Sequence, residues 1–342
     1  MTQLLFSTLL ILSIAATPRW TPLQTGVKAR LRGVSAVSQK TVWASGSMST
    51  VIRSVDGGSS WQTLAVTTDQ LDFRDVDAID GNTAYILSIG NGPASRIYKT
   101  TDAGASWQLQ FKNEDPKAFY DSMSFWDATH GIAIGDSVEG RFCILTTTNG
   151  RDWNRVTSSA LPRALENEGA FAASGTNVAL FGKTHAWIAT GGAAKTRVLR
   201  TNDGGRTWNI VDTPLKAGPS SGIFSIAFRD ARHGIIVGGD YREEKLAVDN
   251  AAITSDGGLT WQLVKGMSGY RSAVHYVPGT KWVVAVGPSG SDFSVDDGQT
   301  WIPIAGPGFD TLSFVPSPRK EASVAFAAGV NGTLARLEFV RK

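Results

Sequence analysis

One eight-residue turn recurs along this chain at intervals that suit only a ring or stack of small sheets. It reads Ser54-Val55-Asp56-Gly57-Gly58-Ser59-Ser60-Trp61, then Thr100-Thr101-Asp102-Ala103-Gly104-Ala105-Ser106-Trp107. It returns ending in Trp208, Trp261 and Trp301, and a degenerate copy, 146–153, carries Thr148 where the aspartate is expected. The pattern is Ser/Thr-x-Asp-x-Gly-x-Thr/Ser-Trp, and a period of this length marks a propeller or a solenoid. From Trp61 onward the tryptophans lie 46, 46, 55, 53 and 40 residues apart, and Trp20 precedes Trp61 by 41. About one more repeat follows Trp301, without a tryptophan of its own. Seven repeats account for these spacings if one is split across the termini. The segment 309–341 then gives three strands of the last blade, and the stretch around Trp20 gives the fourth. Such closure leaves no open edge to seed aggregation.

Each repeat reads as four short strands, in the first repeat 31–37, 41–45, 50–54 and 61–64. Val, Ile, Trp and Ala fill these runs, and Gly, Ser, Asn and Asp bound them. No long stretch has a helical period, so the expected class is all-β, a seven-bladed propeller of four-stranded antiparallel blades. The motif falls between the third and fourth strands. Its aspartate is expected to accept N–H groups of its own turn, its glycine to take φ > 0, and its tryptophan to pack between blades. Identical turns spread around a ring do not converge on one point, so these aspartates are read as structural.

Hydrophobic residues make up 42% of the chain and charged ones 18%, enough for a continuous core. The repeat argues for one propeller over 17–342 rather than two domains. A formal charge of +3 with no Lys/Arg run gives nucleic acid no foothold. The apolar, uncharged opening, 1–16, has the length of a secretory signal and is short for a membrane span. It predicts a periplasmic or secreted protein, with membrane attachment only if the segment stays uncleaved. Cys143 is the single cysteine, read as buried and inert. The four histidines show no zinc-ligand spacing, and there is no phosphate loop or Gly-x-Ser-x-Gly elbow, so no metal or cofactor is expected.

The turn resembles the Asp-box, or BNR repeat, of sialidases, sortilin-type receptors and many secreted propellers. Segments such as Val42-Trp43-Ala44-Ser45-Gly46, Ile97-Tyr98-Lys99-Thr100-Thr101-Asp102 and His233-Gly234-Ile235-Ile236-Val237-Gly238 are most similar to the photosystem II stability/assembly factor family. The likeness spans essentially the whole chain after the leader. It implies a binding propeller, with a protein or membrane-complex subunit as partner. The sialidase side of the resemblance implies three arginines with a tyrosine, a glutamate and an aspartate, for which Tyr120, Glu168 and Asp121 are the candidates here. The Arg-Ile-Pro motif of that class is absent and its six blades differ from seven, so a glycoside hydrolase acting on carbohydrate is the alternative reading.

Propeller geometry puts the fourth-to-first and second-to-third connections on one face. The insertions at 90–95, 136–141, 191–196 and 239–250 fall there, together with the long connections 108–119, 156–168 and 210–221. Loop variation on one face of a rigid ring is where function gathers. The innermost strands start at the same face, and their first residues offer Arg32, Arg74, Asp121, Glu168, Arg271 and Asp310. The neighbouring loops add Arg96, Arg141, Arg197, Asp240 and Arg242. Guanidinium groups suit bidentate capture of a carboxylate. The expectation is a mouth that docks an acidic or carboxylate-bearing partner without catalysis.

Overall fold

The computed structural model describes residues 16–316 and 323–341. The expected leader, 1–16, lies outside the described residues except for Ala16, which opens β1 (Ala16–Leu23). Seven four-stranded antiparallel sheets follow one another around a ring. Blade one holds β2 (Leu31–Ala36), β3 (Val42–Gly46), β4 (Thr50–Ser54) and β5 (Gln62–Thr63). Blade two holds β6 (Asp72–Ala78), β7 (Ala84–Ile89), β8 (Arg96–Thr100) and β9 (Gln108–Lys112). Blade three holds β10 (Tyr120–Phe125), β11 (Gly131–Val138), β12 (Arg141–Thr147) and β13 (Asn154–Arg155). Blade four holds β14 (Val178–Phe181), β15 (His185–Ala189), β16 (Thr196–Thr201) and β17 (Asn209–Thr213). Blade five holds β18 (Ser221–Phe228), β19 (Gly234–Asp240), β20 (Ala251–Thr254) and β21 (Gln262–Leu263). Blade six holds β22 (Ala273–Tyr276), β23 (Val283–Gly287), β24 (Gly290–Ser294) and β25 (Ile302–Ile304). Blade seven holds β26 (Thr311–Phe314), β27 (Val324–Ala328) and β28 (Leu334–Arg341), and β1 completes it.

The closure is the one the tryptophan spacing predicts. β1 pairs with β28 from Ala16↔Arg341 to Leu23↔Leu334. Pro18 and Pro22 lie on this outermost strand, where a missing N–H costs no ladder bond and discourages a further strand. Trp20 is buried beside Phe309, with ring centroids 4.6 Å apart, in the core between blades six and seven. The motif tryptophans repeat this arrangement: Trp61, Trp107, Trp153, Trp208, Trp261 and Trp301 each pack in the apolar cluster between their own blade and the one before. Inner strands are also stitched by side chains, Asp75 Oδ2 accepting the Met123 N–H at 2.7 Å and Asp77 Oδ2 the Phe125 N–H at 2.9 Å.

The recurrent turn works as its sequence predicts. Asp56 Oδ1 accepts the Ser60 N–H at 2.9 Å and Oδ2 the Ser60 hydroxyl at 2.6 Å, while Ser54 Oγ accepts the Gly58 N–H at 2.8 Å. These donors, the Ser60 hydroxyl first, hold the Asp56 carboxyl down to about 2. Gly58 has φ +91°, and a Cβ there would stand 2.5 Å from Leu23 of β1. The degenerate copy needs a correction. Its turn is one residue shorter, so Thr147 takes the place of Ser54 and Asn149, not Thr148, takes the place of the aspartate. Asn149 Oδ1 accepts the N–H groups of Arg151 and Asp152 at 2.9 and 2.8 Å.

Candidate binding site at the channel mouth

The inner strand of blade four departs from expectation, and the departure builds the site. It does not start at Glu168; β14 begins only at Val178. After a bridge between Gly169 and Gly191, the chain leaves the sheet and reaches across the ring. The Ser174 hydroxyl donates to the Ser272 carbonyl of blade six at 2.7 Å, and the Ser174 carbonyl accepts from Thr311 of blade seven at 2.9 Å. Gly175 lies against the Asp75 carboxylate of blade two, and Asn177 accepts from Ser122 of blade three. The segment 169–177 therefore bridges opposite walls and floors the channel just below its mouth.

Above this floor is a cavity of about 460 Å³. Arg30, Arg32, Arg74, Phe171, Phe224, Tyr241 and Tyr270 line it, with Asp310 and Glu244 alongside. The three arginines are not equivalent. Arg30 is clamped bidentately to Asp310, Nε to Oδ2 and Nη2 to Oδ1, both at 2.7 Å. Arg74 donates from Nε to Asp72 at 2.9 Å and from Nη1 to the Ala172 carbonyl at 3.1 Å. Arg32 reaches only that same carbonyl, at 3.3 Å, and has no ion-pair partner among the described residues. Burial first, then the neighbouring Arg74, push the Arg32 guanidinium down to about 10. A sunken cation beside a second cation, with no carboxylate of its own, is a place for an anion.

The floor is held from beneath as well. The Ala172 N–H faces the Asp121 carboxylate, and the Ala170 N–H faces Asp136. Burial, then the nearby Asp136, raises Asp121 well above the usual carboxylate range. Burial raises Asp136 to about 6. Asp121 is thus a support of the floor rather than a residue of the open mouth.

Several other expected mouth residues are consumed by partners. Arg271 is 0% exposed; Nε meets Asp292 at 2.7 Å, and Ser268, Ser289 and the Tyr270 carbonyl take its remaining donors. Glu168 and Arg197 are buried as a pair, and Glu168 also accepts from Thr190 at 2.7 Å and from the Leu165 N–H at 2.8 Å. Arg96 bonds Asp69 at 2.5 Å and the Pro93 carbonyl at 2.7 Å, away from the cavity. Asp240 accepts from Ser221 and the Arg242 N–H, both at 3.0 Å, while Arg242 lies over the Tyr241 ring at 5.8 Å. Arg141 is exposed on the blade-three hairpin and lines a separate cleft with Arg155 and Cys143. Of the expected binding residues, Arg32, Arg74 and Asp310 come together.

The catalytic alternative loses its geometry. Tyr120 is 0% exposed in the core between blades two and three, edge-on to Phe111 at 5.3 Å, and burial raises its pKa. Glu168 is locked by Arg197, and Asp121 lies under the floor. The three do not meet at an open surface. Cys143 is buried, and burial pushes its thiol up to about 11. His130 and His233 each contact the aspartate of their own hairpin, Asp127 and Asp230, at 3.0 and 2.9 Å. No group of three or more metal-ligating side chains occurs among the described residues, and no helix among them is long and apolar enough to cross a membrane.

Reading the sequence for charge overlooked Arg30, Glu244 and the four aromatic residues. Tyr270 stands beside Arg271 at an inner-strand start, and Tyr241 and Glu244 sit in the longest insertion, so a signal was present. The crossing segment with Phe171 and Ala172 had none beyond its small residues.

A seven-bladed propeller with one polar and aromatic cavity at its mouth is thus the class of protein the fold and site define. No protein-family model matches the chain, and no curated protein matches it in sequence. Among solved structures it is similar to YCF48 bound to a D1 peptide, with TM-score 0.65 and 16% identity over 94% of this chain and 97% of that one. It is similar to YCF48 from Cyanidioschyzon merolae, with TM-score 0.63 and 17% identity over 94% and 98%. It is also similar to an ancestral GH74 enzyme, with TM-score 0.66 and 16% identity over 92% of this chain and 46% of that one. At these identities the likeness is one of fold.

Proposed function

We propose that this propeller is a binding module whose mouth cavity receives a carboxylate of a protein partner. One observation carries the reading: Arg32 lines the cavity, half-buried, with a carbonyl for its only hydrogen-bond partner among the described residues. An incoming carboxylate would supply the missing counter-charge, and Arg74 would share it. The YCF48 structure that holds a D1 peptide supports a protein partner for a propeller of this shape. The uncharged apolar opening supports a periplasmic or secreted setting. A carbohydrate-active reading keeps only the fold likeness to the GH74 enzyme.

Retention of aspartate-rich and carboxylate-terminated peptides on the immobilised protein tests the proposal, with amidated, uncharged peptides as controls. Retention should weaken with salt, since screening acts on the ion pair, and vanish in Arg32→Gln. Equal retention of the uncharged peptides, or full retention by Arg32→Gln, refutes it.

A further inference from the structure

We infer that the captured carboxylate is a chain end carrying an aromatic ring, the C-terminus of a segment that closes in Phe, Tyr or Trp. The inference rests on the carboxylate reading above and narrows it. A carboxylate alone fills little of a cavity of about 460 Å³, and Phe171, Phe224, Tyr241 and Tyr270 line it together with the arginines. Phe171 and Phe224 stack with centroids 3.9 Å apart and planes 8° from parallel. Tyr270 meets Phe224 edge-on at 4.7 Å. Tyr241, 42% exposed, stands edge-on to both phenylalanines at 6.4 and 6.2 Å. Rings in offset or edge contact accept another ring readily; Phe224 and Tyr270 are buried, so the partly exposed Phe171 and the exposed Tyr241 present the surface that would meet it.

Ring and cation are also joined through the crossing segment. Phe171 directly precedes Ala172, whose carbonyl holds Arg32 and Arg74. Phe171 and the residue whose carbonyl holds both guanidinium groups are therefore neighbours on the same crossing segment. The position of Phe171 is built in. Gly191 and Gly222 face each other across a backbone bridge, and a Cβ on Gly191 would stand 2.5 Å from the Phe171 ring and 2.7 Å from Gly222 Cα. Glu244 lines the same cavity and has no ion-pair partner within 4.0 Å among the described residues. A run of acidic side chains would bring further negative charge against it, so a single carboxylate beside an uncharged ring fits better than an acidic tract.

Calorimetric titration of the full chain with four peptides tests this: Gly-Gly-Gly-Phe, its C-terminal amide, Gly-Gly-Gly-Ala, and tetraglutamate amide. The phenylalanine acid should bind about tenfold more tightly than the alanine acid. Tyr241→Ala should reduce that advantage without shifting the melting temperature, and Arg32→Gln should abolish binding. If the alanine acid or tetraglutamate binds as well as the phenylalanine acid, the aromatic inference fails and the carboxylate reading stands. If no carboxylate binds, or the phenylalanine amide matches its acid, both fail.

Discussion

Arg271 and Arg32 both stand at the head of an innermost strand but one residue out of register, Arg271 donating its N–H to the preceding blade as Leu31 does, and they differ in everything that follows. Arg271 is sealed from solvent and fully spent, on Asp292, two serine hydroxyls and a carbonyl. Arg32 is held with one carbonyl bond and a second cation nearby. The first arrangement is architecture: removing one partner strands a buried charge. The second is a vacancy in charge compensation, which the fold tolerates because the cavity stays open to water. The distinction lies in partners, and the one-residue offset between the two positions sets those partners. An arginine that already has its carboxylate is a poor candidate for capturing another.

The largest effect should come from Arg271. Arg271→Gln leaves Asp292 buried and unpaired, and breaking a buried pair costs about 3–5 kcal/mol. Thermal melting should fall steeply for Arg271→Gln and stay near the parent value for Arg32→Gln. Equal melting of the two variants would erase the contrast. The charge at Arg271 is therefore no handle on binding, and a functional variant at this face must be made at Arg32 or Arg74.

A second test uses buried carboxylates that lack cations. Burial raises Asp77 and Asp136 to about 6 from an ordinary value near 3.8. The folded state thus binds protons more tightly than the unfolded one. The stability this contributes is complete below the unfolded value and is lost as pH rises through about 6. Stability to denaturant should fall between pH 4.5 and pH 7.5, by on the order of 2 kcal/mol for Asp77, with Asp136 acting in the same direction. Asp77→Asn and Asp136→Asn should flatten the decline, and a flat profile in the parent would contradict the burial of these groups as charges. The turn carboxyls act in the opposite direction and elsewhere on the scale. Asp56 and Asp102, held down to about 2 by their turn donors, stabilise above the ordinary value and lose that contribution as pH falls toward 2.

The smallest effect separates charge from shape in the repeated turn. Asn149 already does an aspartate's work in blade three. Asp102→Asn should therefore lower the denaturation midpoint less than Asp102→Ala, which strips the acceptors from the Ser106 N–H and hydroxyl. Chemical denaturation of the two variants distinguishes them, and an equal loss would show that the turn depends on the charge itself.

Much of the architecture was legible because it is local and repeated. The Ser/Thr-x-Asp-x-Gly turn satisfies its own hydrogen bonds within eight residues, and the tryptophan after it marks one blade per copy. Trp20 announced the closing strand by its distance from Trp61, and β1 pairs as that distance required. Even the misread copy failed by one residue, because counting back from Trp153 cannot reveal a shortened turn. The site was legible only in part. Arg32, Arg74 and Asp310 were visible as charges at strand heads, but their neighbours Arg197, Glu168 and Arg271 looked the same on paper.

The sequence alone thus determined the number of blades, the way the ring closes and the face that carries the variable loops, since each follows from periodicity and turn chemistry within a repeat. Only the tertiary structure decided which charges remain unspent. That depends on pairs far apart in the chain, such as Arg30 with Asp310, and on a segment of blade four that abandons its strand to meet blades two, three, six and seven. No repeat period encodes such contacts, because they arise where the repeat is broken.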